Sequence, residues 1–308
     1  MKKNLAPFIT LAVLFAAFCL YSGDFRSSYN LMNIARQVSY SGLLALGMTL
    51  VIAGGGIDLS VGSLLALSGV LGLQTMNALP ASTSAPLAFA VMAAVALAVG
   101  VVGGVLNGAL VNFGRIPPFI ATLGTFSIYR SIAVYRADAG LVQSSNATLN
   151  GIARVGGGVL PLLILLAVAA LLFCALRYTR FGWRICAVGA NEKAATYASV
   201  NVPRVRFASY ALIGLLCGLG SILLASRLQS ISSTGAGNAY ELDAIACVII
   251  GGTPMTGGRA SIWGTLAGVF ILGIIGNVLD LLSISANLQG TVKGAIIIMA
   301  VLLQYKRK

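Results

Sequence analysis

Residues 43–77 read LLALGMTLVIAGGGIDLSVGSLLALSGVLGLQTMN, two apolar runs that are separated by three glycines and an aspartate. Each run is close to the roughly 20 apolar residues with which an α-helix crosses a bilayer. Apolar runs of this kind recur from Leu5 to Leu303. The sequence therefore predicts an all-α fold, a polytopic bundle of transmembrane helices in which some helices are short or broken.

The composition of the 308 residues supports this prediction. Hydrophobic residues make up 58% of the chain and charged residues 9%, whereas a soluble domain carries about 25% charged residues. The chain also contains 37 glycines. Small residues let helix backbones approach closely inside a bilayer, where no hydrophobic effect drives helices together. We therefore expect tight helix packing.

We predict about ten helices in a single membrane domain, residues 1–308. The first helix follows a basic start and also fits a signal peptide, but no clear small-residue cleavage site follows it, so we assign it as a span. The predicted spans are residues 5–21, 38–54, 60–77, 87–111, 117–134, 159–176, 207–227, 241–252, 261–279 and 291–304.

The basic residues indicate the orientation of the chain. Lys and Arg accumulate in the cytoplasmic loops of membrane proteins, and both ends are basic, with Lys2 and Lys3 at one and Lys306 to Lys308 at the other. We therefore expect both termini in the cytoplasm and an even number of spans. The loop 177–206, which has six basic residues and one acid, belongs on the same side.

Four arginines run against this assignment, because they fall in segments predicted to lie outside: Arg26, Arg36, Arg136 and Arg154. The net charge of +13 is otherwise explained by orientation. We infer no nucleic-acid partner from it.

Two irregular segments interrupt the apolar sequence, Gly54 to Asp58 and Gly251 to Gly258. Non-helical backbone at membrane depth is tolerated only where protein buries it or where it lines an aqueous cavity. Each segment follows an apolar run that ends near Val-Ile or Ile-Ile and precedes a helix that begins with a small polar residue. This likeness predicts a weak internal repeat, as in many transporters.

Asp58 allows two interpretations that are compatible with each other. With Ser60 it can cap a helix that starts near Val61, because a carboxylate accepts backbone N–H groups at the positive end of a helix. An ionisable group at membrane depth is also costly and usually marks a pathway or a paired site.

Glu241 and Asp243 open a short apolar segment. Side chains two residues apart do not share a helix face, so these carboxylates cannot act as a catalytic pair. Negative charge is favoured in the first turn of a helix, which makes capping one interpretation and a position near a translocation path the other.

Within the loop 177–206, Asn191 predicts a helix cap, and the residues after it predict a short helix with a small-residue face. An ordinary basic connector has this pattern, and so does a cytoplasmic docking surface for a separate motor domain. Further along the span 117–134, Thr122 and Thr125 are candidates for hydrogen bonds between helices.

Several kinds of chemistry are missing from the sequence. It contains no GxxxxGK[ST] phosphate loop, no GxSxG or HExxH string, and no histidine to act as a general base. Its five cysteines are scattered without a CxxC spacing, so neither a zinc site nor a disulfide framework is predicted. We expect no catalytic residue, cofactor or metal, and any energy from ATP must come from a partner.

Four strings, in this order, resemble the ribose-type permease family. They are GGGIDLSVGSLLALSG at 54–69, RIPPFIATLGT at 115–125, VGANEKAA at 188–195 and ELDAIACVIIGGTPMTGGRASIWGTLAG at 241–268. The resemblance covers nearly the whole chain. It implies a multi-pass permease of the cell inner membrane that serves an ABC importer and dimerises with itself or with a paralogue.

The resemblance also implies partners and roles. Two cytoplasmic ABC ATPase subunits would dock on one side, and a periplasmic sugar-binding protein would deliver a monosaccharide, a ribose-like pentose or a hexose, on the other. The implied ATPase-coupling segment comprises Gly189, Asn191, Glu192, Ala194 and Ala195. The resemblance maps the lumen-facing signatures onto Gly55 to Gly62 and Glu241 to Gly252. We predict a translocation pathway that comprises Asp58, Ser60, Ser63, Glu241, Asp243 and Thr253. Weak hydrogen bonds from the hydroxyls of Ser60, Ser63, Thr253 and Thr256 would suit a neutral sugar that must also be released.

Two other functions remain open on the sequence. A related ABC permease could carry a branched-chain amino acid, a nucleoside or a furanose signal. A stand-alone secondary transporter would instead couple to protons or sodium through its intramembrane carboxylates.

Overall fold

The computed structural model describes residues 5–144 and 158–305. The predictions for the two basic ends and for Arg154 lie outside these residues. The described residues form twelve helices and two short strands. The helices are α1 (Ala6–Tyr21), α2 (Ser28–Ala53), α3 (Val61–Asn77), α4 (Ala85–Asn112), α5 (Pro118–Arg136), α6 (Leu160–Tyr178), α7 (Arg180–Ala190), α8 (Glu192–Tyr197), α9 (Val202–Leu228), α10 (Tyr240–Ile250), α11 (Ile262–Leu281) and α12 (Ala286–Tyr305), and the strands are β1 (Leu141–Gln143) and β2 (Ser230–Ser232).

The all-α prediction is confirmed, and each of the ten predicted spans overlaps one helix. The two further helices, α7 and α8, lie within the loop 177–206. By length and apolar composition, α4, α6, α9 and α11 are long enough to cross a membrane, and α1 and α3 are shorter apolar helices.

The largest difference from the predicted boundaries is at α2, which begins ten residues before the predicted start of its span. Its first turns are polar, and hydropathy does not detect them. The hydroxyl oxygen of Ser27 accepts the N–H of Asn30 and so caps the helix. The side chain of Asn30 then exchanges two buried hydrogen bonds with Asn277 on α11, of 2.9 and 2.7 Å.

The two irregular segments have the same backbone structure. After α2, the N–H of Gly55 bonds to Ile52 and that of Gly56 to Val51; after α10, the N–H of Gly252 bonds to Ile249 and that of Thr253 to Val248. In each case a glycine with positive φ, Gly55 (79°) or Gly252 (89°), makes the turn. Both are Schellman motifs, which satisfy carbonyls at the end of a helix. The two segments therefore share a turn type, and the internal repeat stays a prediction.

The two turns lie side by side. The N–H of Gly258 donates to the carbonyl oxygen of Ala53 at 2.9 Å, and the buried hydroxyls of Thr49 and Thr265 are 2.8 Å apart across α2 and α11. Polar backbone that the bilayer could not solvate is therefore satisfied by a neighbouring interruption.

The segment between β2 and α10 runs along α3. Ile231 on β2 packs against Gly69 of α3. Gly237 lies against Gly62, about two helical turns closer to the start of α3. The following helix, α10, has 11 residues, a length of about 16 Å at 1.5 Å per residue. This is about half of the ~30 Å hydrocarbon core, so α10 is one of the short helices that the sequence predicted.

The connecting segments meet in two groups at opposite ends of the bundle. At one end, the turn after α2 lies against the turn after α10 and against the end of α7. At the opposite end, β1 pairs antiparallel with β2, and Asn77 donates to the carbonyl oxygen of Gln143 at 2.7 Å.

The prediction that Thr122 and Thr125 bond between helices is wrong. Their hydroxyls donate to the carbonyl oxygens of Pro118 and Thr122 within α5. Hydroxyls near a helix backbone reach the carbonyl one turn earlier without any help from a second helix.

The closest helix pairing joins α4 and α9 through glycines. Gly100 and Gly104 on α4 face Gly214 and Gly218 on α9, and a Cβ atom on any of the four would overlap the backbone of the facing helix. Both pairs have GxxxG spacing, which places them on one helix face. The expected tight glycine packing is confirmed here.

We predict that Gly214→Ala lowers the stability of the protein. The added methyl group would overlap the carbonyl oxygen of Gly100, and overpacking of this kind costs about 1–3 kcal/mol. Thermal unfolding of the detergent-solubilised protein measures the effect. Gly124→Ala on α5 is the matched control, because its new methyl meets no atom within 4 Å. Equal unfolding temperatures for the two variants would contradict the prediction.

Candidate functional site

A buried polar cluster lies between the first irregular segment and α4. Asp58, Ser60 and Asn107 are fully buried. Oδ1 of Asp58 accepts the backbone N–H of Ser60 at 2.9 Å and its hydroxyl at 2.7 Å. The side-chain amide of Asn107 donates to both carboxylate oxygens, at 3.3 and 3.2 Å, and to the Ser60 hydroxyl at 2.7 Å. Asp58 thus accepts the N–H of Ser60, the residue before α3, but it caps no N–H of the helix itself, because α3 has no side-chain cap. The capping interpretation is therefore wrong for Asp58.

Two tyrosines close this cluster. The hydroxyl of Tyr129 on α5 donates to the carbonyl oxygen of Gly103 at 2.9 Å and lies 3.4 Å from Oδ1 of Asn107. The hydroxyl of Tyr210 on α9 donates to the carbonyl oxygen of Ile57 at 3.0 Å. The first irregular segment is therefore tied to three long helices, α4, α5 and α9.

Asp58 is stabilised by neutral donors. The described part of the chain contains two ion pairs, Arg206–Glu192 and Lys293–Asp243, and neither involves Asp58. Ser63 is also fully buried, and its hydroxyl donates to the carbonyl oxygen of Ser60 at 2.8 Å. No surface of these side chains is open in this conformation.

A second polar group surrounds the segment that leads into α10. The guanidinium group of Arg130 on α5 donates to the carbonyl oxygens of Ser233 and Ala236, both at 2.8 Å. A cation at membrane depth needs such partners, and so do carbonyls of non-helical backbone. Nearby, Oε2 of Glu241 is buried beside Gly62 and has no hydrogen-bond partner among the described residues.

Asp243 faces α12. Its carboxylate accepts Nζ of Lys293 on α12 at 2.7 Å, with both side chains partly buried. Glu241 and Asp243 therefore lie on different faces of α10, as the spacing predicted. The capping interpretation is wrong for them, because α10 begins after Ala239 and has no side-chain cap.

An aromatic and cationic contact lies beside this ion pair. The rings of Tyr40 and Tyr240 stack with centroids 5.9 Å apart. The guanidinium of Arg227 lies 5.7 Å from the Tyr40 centroid and donates to its hydroxyl at 2.9 Å. A cation over an aromatic face is attracted by the ring quadrupole. The start of α10 is thereby connected to α2 and α9.

The predicted coupling segment joins the ends of α7 and α8. Gly189 packs directly on the carbonyl oxygen of Ala53 and on the N–H of Gly258, so it contacts both irregular segments at once. Its small size permits this contact, since any Cβ would overlap the Ala53 carbonyl. The end of α7 therefore packs against the place where the two turns meet.

The rest of this segment has the predicted structure. Asn191 caps α8 by accepting the N–H of Ala194 at 3.0 Å, and Ala195 is buried while Ala194 is exposed. Glu192 forms an exposed 2.7 Å ion pair with Arg206 at the start of α9, a kind of pair that contributes little to stability.

Thr253, the remaining pathway candidate, is fully buried. Its hydroxyl oxygen accepts the N–H of Ser261, the residue before α11, at 3.0 Å. It therefore has the same local role in the second irregular segment that Asp58 has in the first. The pathway role of all six candidates stays a prediction.

Three polar residues that organise these groups were not predicted from the sequence: Arg130, Arg227 and Lys293. The signal was present, because each is a basic residue inside or at the edge of an otherwise apolar run, where a charge is costly unless it is paired. Their partners are far away in sequence, and the sequence alone does not identify them.

Comparisons with known proteins cover the whole chain. The family model described as branched-chain amino acid transport system / permease component matches residues 30–301. The chain is 39% identical to the ribose import permease protein of Bacillus subtilis (strain 168), over 100% of this chain and 94% of that protein. It is 40% identical to the ribose import permease protein of Escherichia coli (strain K12), over 97% and 93% of the two chains.

A galactose/methyl galactoside import permease protein of Escherichia coli (strain K12) is 32% identical, over 98% of this chain and 94% of that protein. No solved structure matches the chain.

We predict that Asp58→Asn destabilises the protein. An asparagine amide has one oxygen that accepts hydrogen bonds, so its NH2 group must face one of the groups that now donate to the carboxylate. A buried polar group left without a partner costs about 1–3 kcal/mol. Thermal unfolding in detergent checks this, with Asp24→Asn in the exposed loop before α2 as the control. An unfolding temperature equal to that of the control would show that the cluster does not depend on the carboxylate.

Proposed function

This chain belongs to the permease-component family of branched-chain amino acid transport systems, and we propose that it forms the membrane path of an ABC importer for a monosaccharide. It is a multi-pass protein of the inner membrane. The substrate would be a ribose-like pentose or a hexose, and it would cross the membrane without chemical change.

The similarity over the full chain carries this proposal. Relatives from two bacteria that are named ribose import permeases are about 40% identical from end to end, and a relative named for galactose follows at 32%. A permease with such relatives needs two kinds of partner protein. We propose cytoplasmic ABC ATPase subunits and a periplasmic sugar-binding protein, with a second permease copy or a paralogue completing the path.

The contact of Gly189 supports a specific route for coupling. An ATPase that moves α7 and α8 would move the residue that lies against Ala53 and Gly258. The two turns after α2 and α10 would shift with it, because they are bonded to each other. Motion at the cytoplasmic surface would thus reach the interruptions in the helices without any intermediate side chain.

The candidate pathway residues fit this route in two ways. Asp58, Ser60, Ser63 and Thr253 are fully buried, so they reach a sugar only when the turns separate. Glu241 differs, because one of its carboxylate oxygens has no partner among the described residues. Because this oxygen is buried, it too reaches a sugar only when the surrounding segments separate, but it then binds a sugar hydroxyl without first losing a hydrogen bond.

The proposed topology has ten spans, both termini in the cytoplasm and one permease domain over residues 1–308, with 177–206 as the coupling loop. The end of the bundle that carries α7 and α8 then faces the ATPase. The end that carries β1 and β2 faces the binding protein.

The family description favours one alternative, a branched-chain amino acid as substrate. A nucleoside or furanose permease would share the same fold. A secondary transporter would need a titratable intramembrane carboxylate, and Asp243 is already paired with Lys293 while Asp58 accepts three neutral donors. Glu241 keeps an oxygen without a partner among the described residues, so it is the similarity to named import permeases that favours the ABC importer over an ion-coupled carrier.

We predict ATP-dependent uptake of a monosaccharide into proteoliposomes that contain the chain, its ATPase and its binding protein. Omitting any one component should abolish uptake, because capture, energy and passage reside in different subunits. Radiolabelled ribose, galactose and leucine are compared in the same assay. Uptake by the chain alone under an ion gradient would overturn the proposal, and uptake of leucine alone would reassign the substrate.

We predict that Gly189→Ala reduces uptake by about tenfold or more, since forcing a methyl group into a closed backbone contact costs about 1–3 kcal/mol. Binding of the ATPase, measured by co-purification, should persist, because the exposed surface of α7 and α8 is unchanged. Gly23→Ala in an outer loop is the control, with no atom within 4 Å of the new methyl. Normal uptake by Gly189→Ala would exclude this contact from the coupling route.

A further inference from the structure

Two cavities meet beside α1. The first, of about 340 Å³, lies between α1, α2 and α11, and almost all of its wall is apolar. Phe15, Leu31 and Phe270 are among the residues that line it. A cavity with such a wall suits a hydrocarbon chain, because apolar surface is favourably covered by other apolar groups.

The second cavity, also of about 340 Å³, lies between α6, α7 and the start of α11, and a third of its wall is polar. Arg177 and Trp263 line it. The ring of Phe8 lines both cavities, so they adjoin at this residue. An amphipathic molecule can therefore place an apolar part in the first cavity and a polar part in the second.

The polar cavity carries a positive charge that the protein does not use. Arg177 is exposed, and neither ion pair in the described residues involves it. Cys186 also lines this cavity, and burial raises the pKa of its thiol, which leaves that side chain neutral. The available charge in the cavity is thus that of a single guanidinium group, which matches an anion such as a phosphodiester.

The surroundings place this cavity at the level of lipid head groups. The chain has two tryptophans, Trp183 on α7 and Trp263 on α11, and both lie at this end of the bundle with more than 40% of their surface exposed. Tryptophan is enriched at membrane–water interfaces, where its ring sits at the level of the head groups.

We propose that the two cavities form one binding site for an anionic phospholipid of the cytoplasmic leaflet. An acyl chain lies in the apolar cavity between α1, α2 and α11, and the phosphate lies beside Arg177. The bound lipid joins α1 to the helices that carry the coupling segment. Within Ala6–Tyr21 only Pro7 is buried, so such a bridge adds to the little packing that holds α1 in place.

Fluorescence quenching tests this site without the ATPase or any transported solute, so it is independent of the proposed function. The full chain carrying Trp183→Phe, whose one tryptophan is Trp263, is reconstituted in phosphatidylcholine vesicles. A small fraction of phosphatidylglycerol or of phosphatidylcholine, brominated near the head-group end of the acyl chain, is then added. We expect about a fivefold preference for quenching by the anionic lipid, the contribution of one basic residue near an anionic surface.

Variants at the junction of α6 and α7 separate this site from general attraction to the membrane. Arg177→Gln should remove the preference, and the matched change Arg180→Gln, at an exposed arginine that does not line the cavity, should leave it. Equal quenching by the two lipids, or an unchanged preference in Arg177→Gln, would overturn the proposal. Loss of the preference in the presence of inorganic phosphate would also overturn it, because the site would then take a free anion rather than a lipid.

Discussion

The structure depends on how two helices, α2 and α10, end beside each other within the protein. Buried carbonyl and N–H groups at a helix end need hydrogen-bond partners, because they have no water to bond to. Here α2 and α10 end in matching Schellman turns, and the N–H of Gly258 then bonds to the Ala53 carbonyl of the other turn. Each interruption is acceptable because a second one lies beside it. The position of Asp58, the length of α10 and the placement of α7 all follow from this pairing.

Polar side chains hold in place the parts of the irregular segments that the paired turns do not hold. Asp58, Ser60 and Asn107 hold the segment before α3, and Thr253 holds the segment before α11. Arg130 binds the carbonyls of the segment before α10. Asp58, Ser60 and Thr253 lie in the irregular segments themselves, whereas Asn107 on α4 and Arg130 on α5 bind these segments from neighbouring helices. The same stretches are the ones that must rearrange if the bundle opens.

Much of this was predictable from the sequence, for an identifiable reason. The helices near the predicted spans, the two interruptions and the small helix after Asn191 depend on local patterns of apolar, glycine and capping residues, and the structure contains each of them. Partnerships across the bundle depend on which helix faces which. The pairing of Asp243 with Lys293 and the contact of Arg130 with Ser233 were therefore missed, and Thr122 and Thr125 were assigned to the wrong partners. The early start of α2 was missed because the Asn30–Asn277 bonds, rather than hydropathy, secure its polar turns.

The glycine contact between α4 and α9 has a consequence for how such a protein can change over time. Where two side chains touch, a larger residue on one helix can be offset by a smaller one on the other. At Gly100 and Gly214 the facing atoms are peptide groups, which are the same in every residue. No second substitution can compensate for the first. One of the closest contacts in the molecule would thus leave no correlated pair of changes in a comparison of many relatives, and methods that infer proximity from such pairs would overlook it.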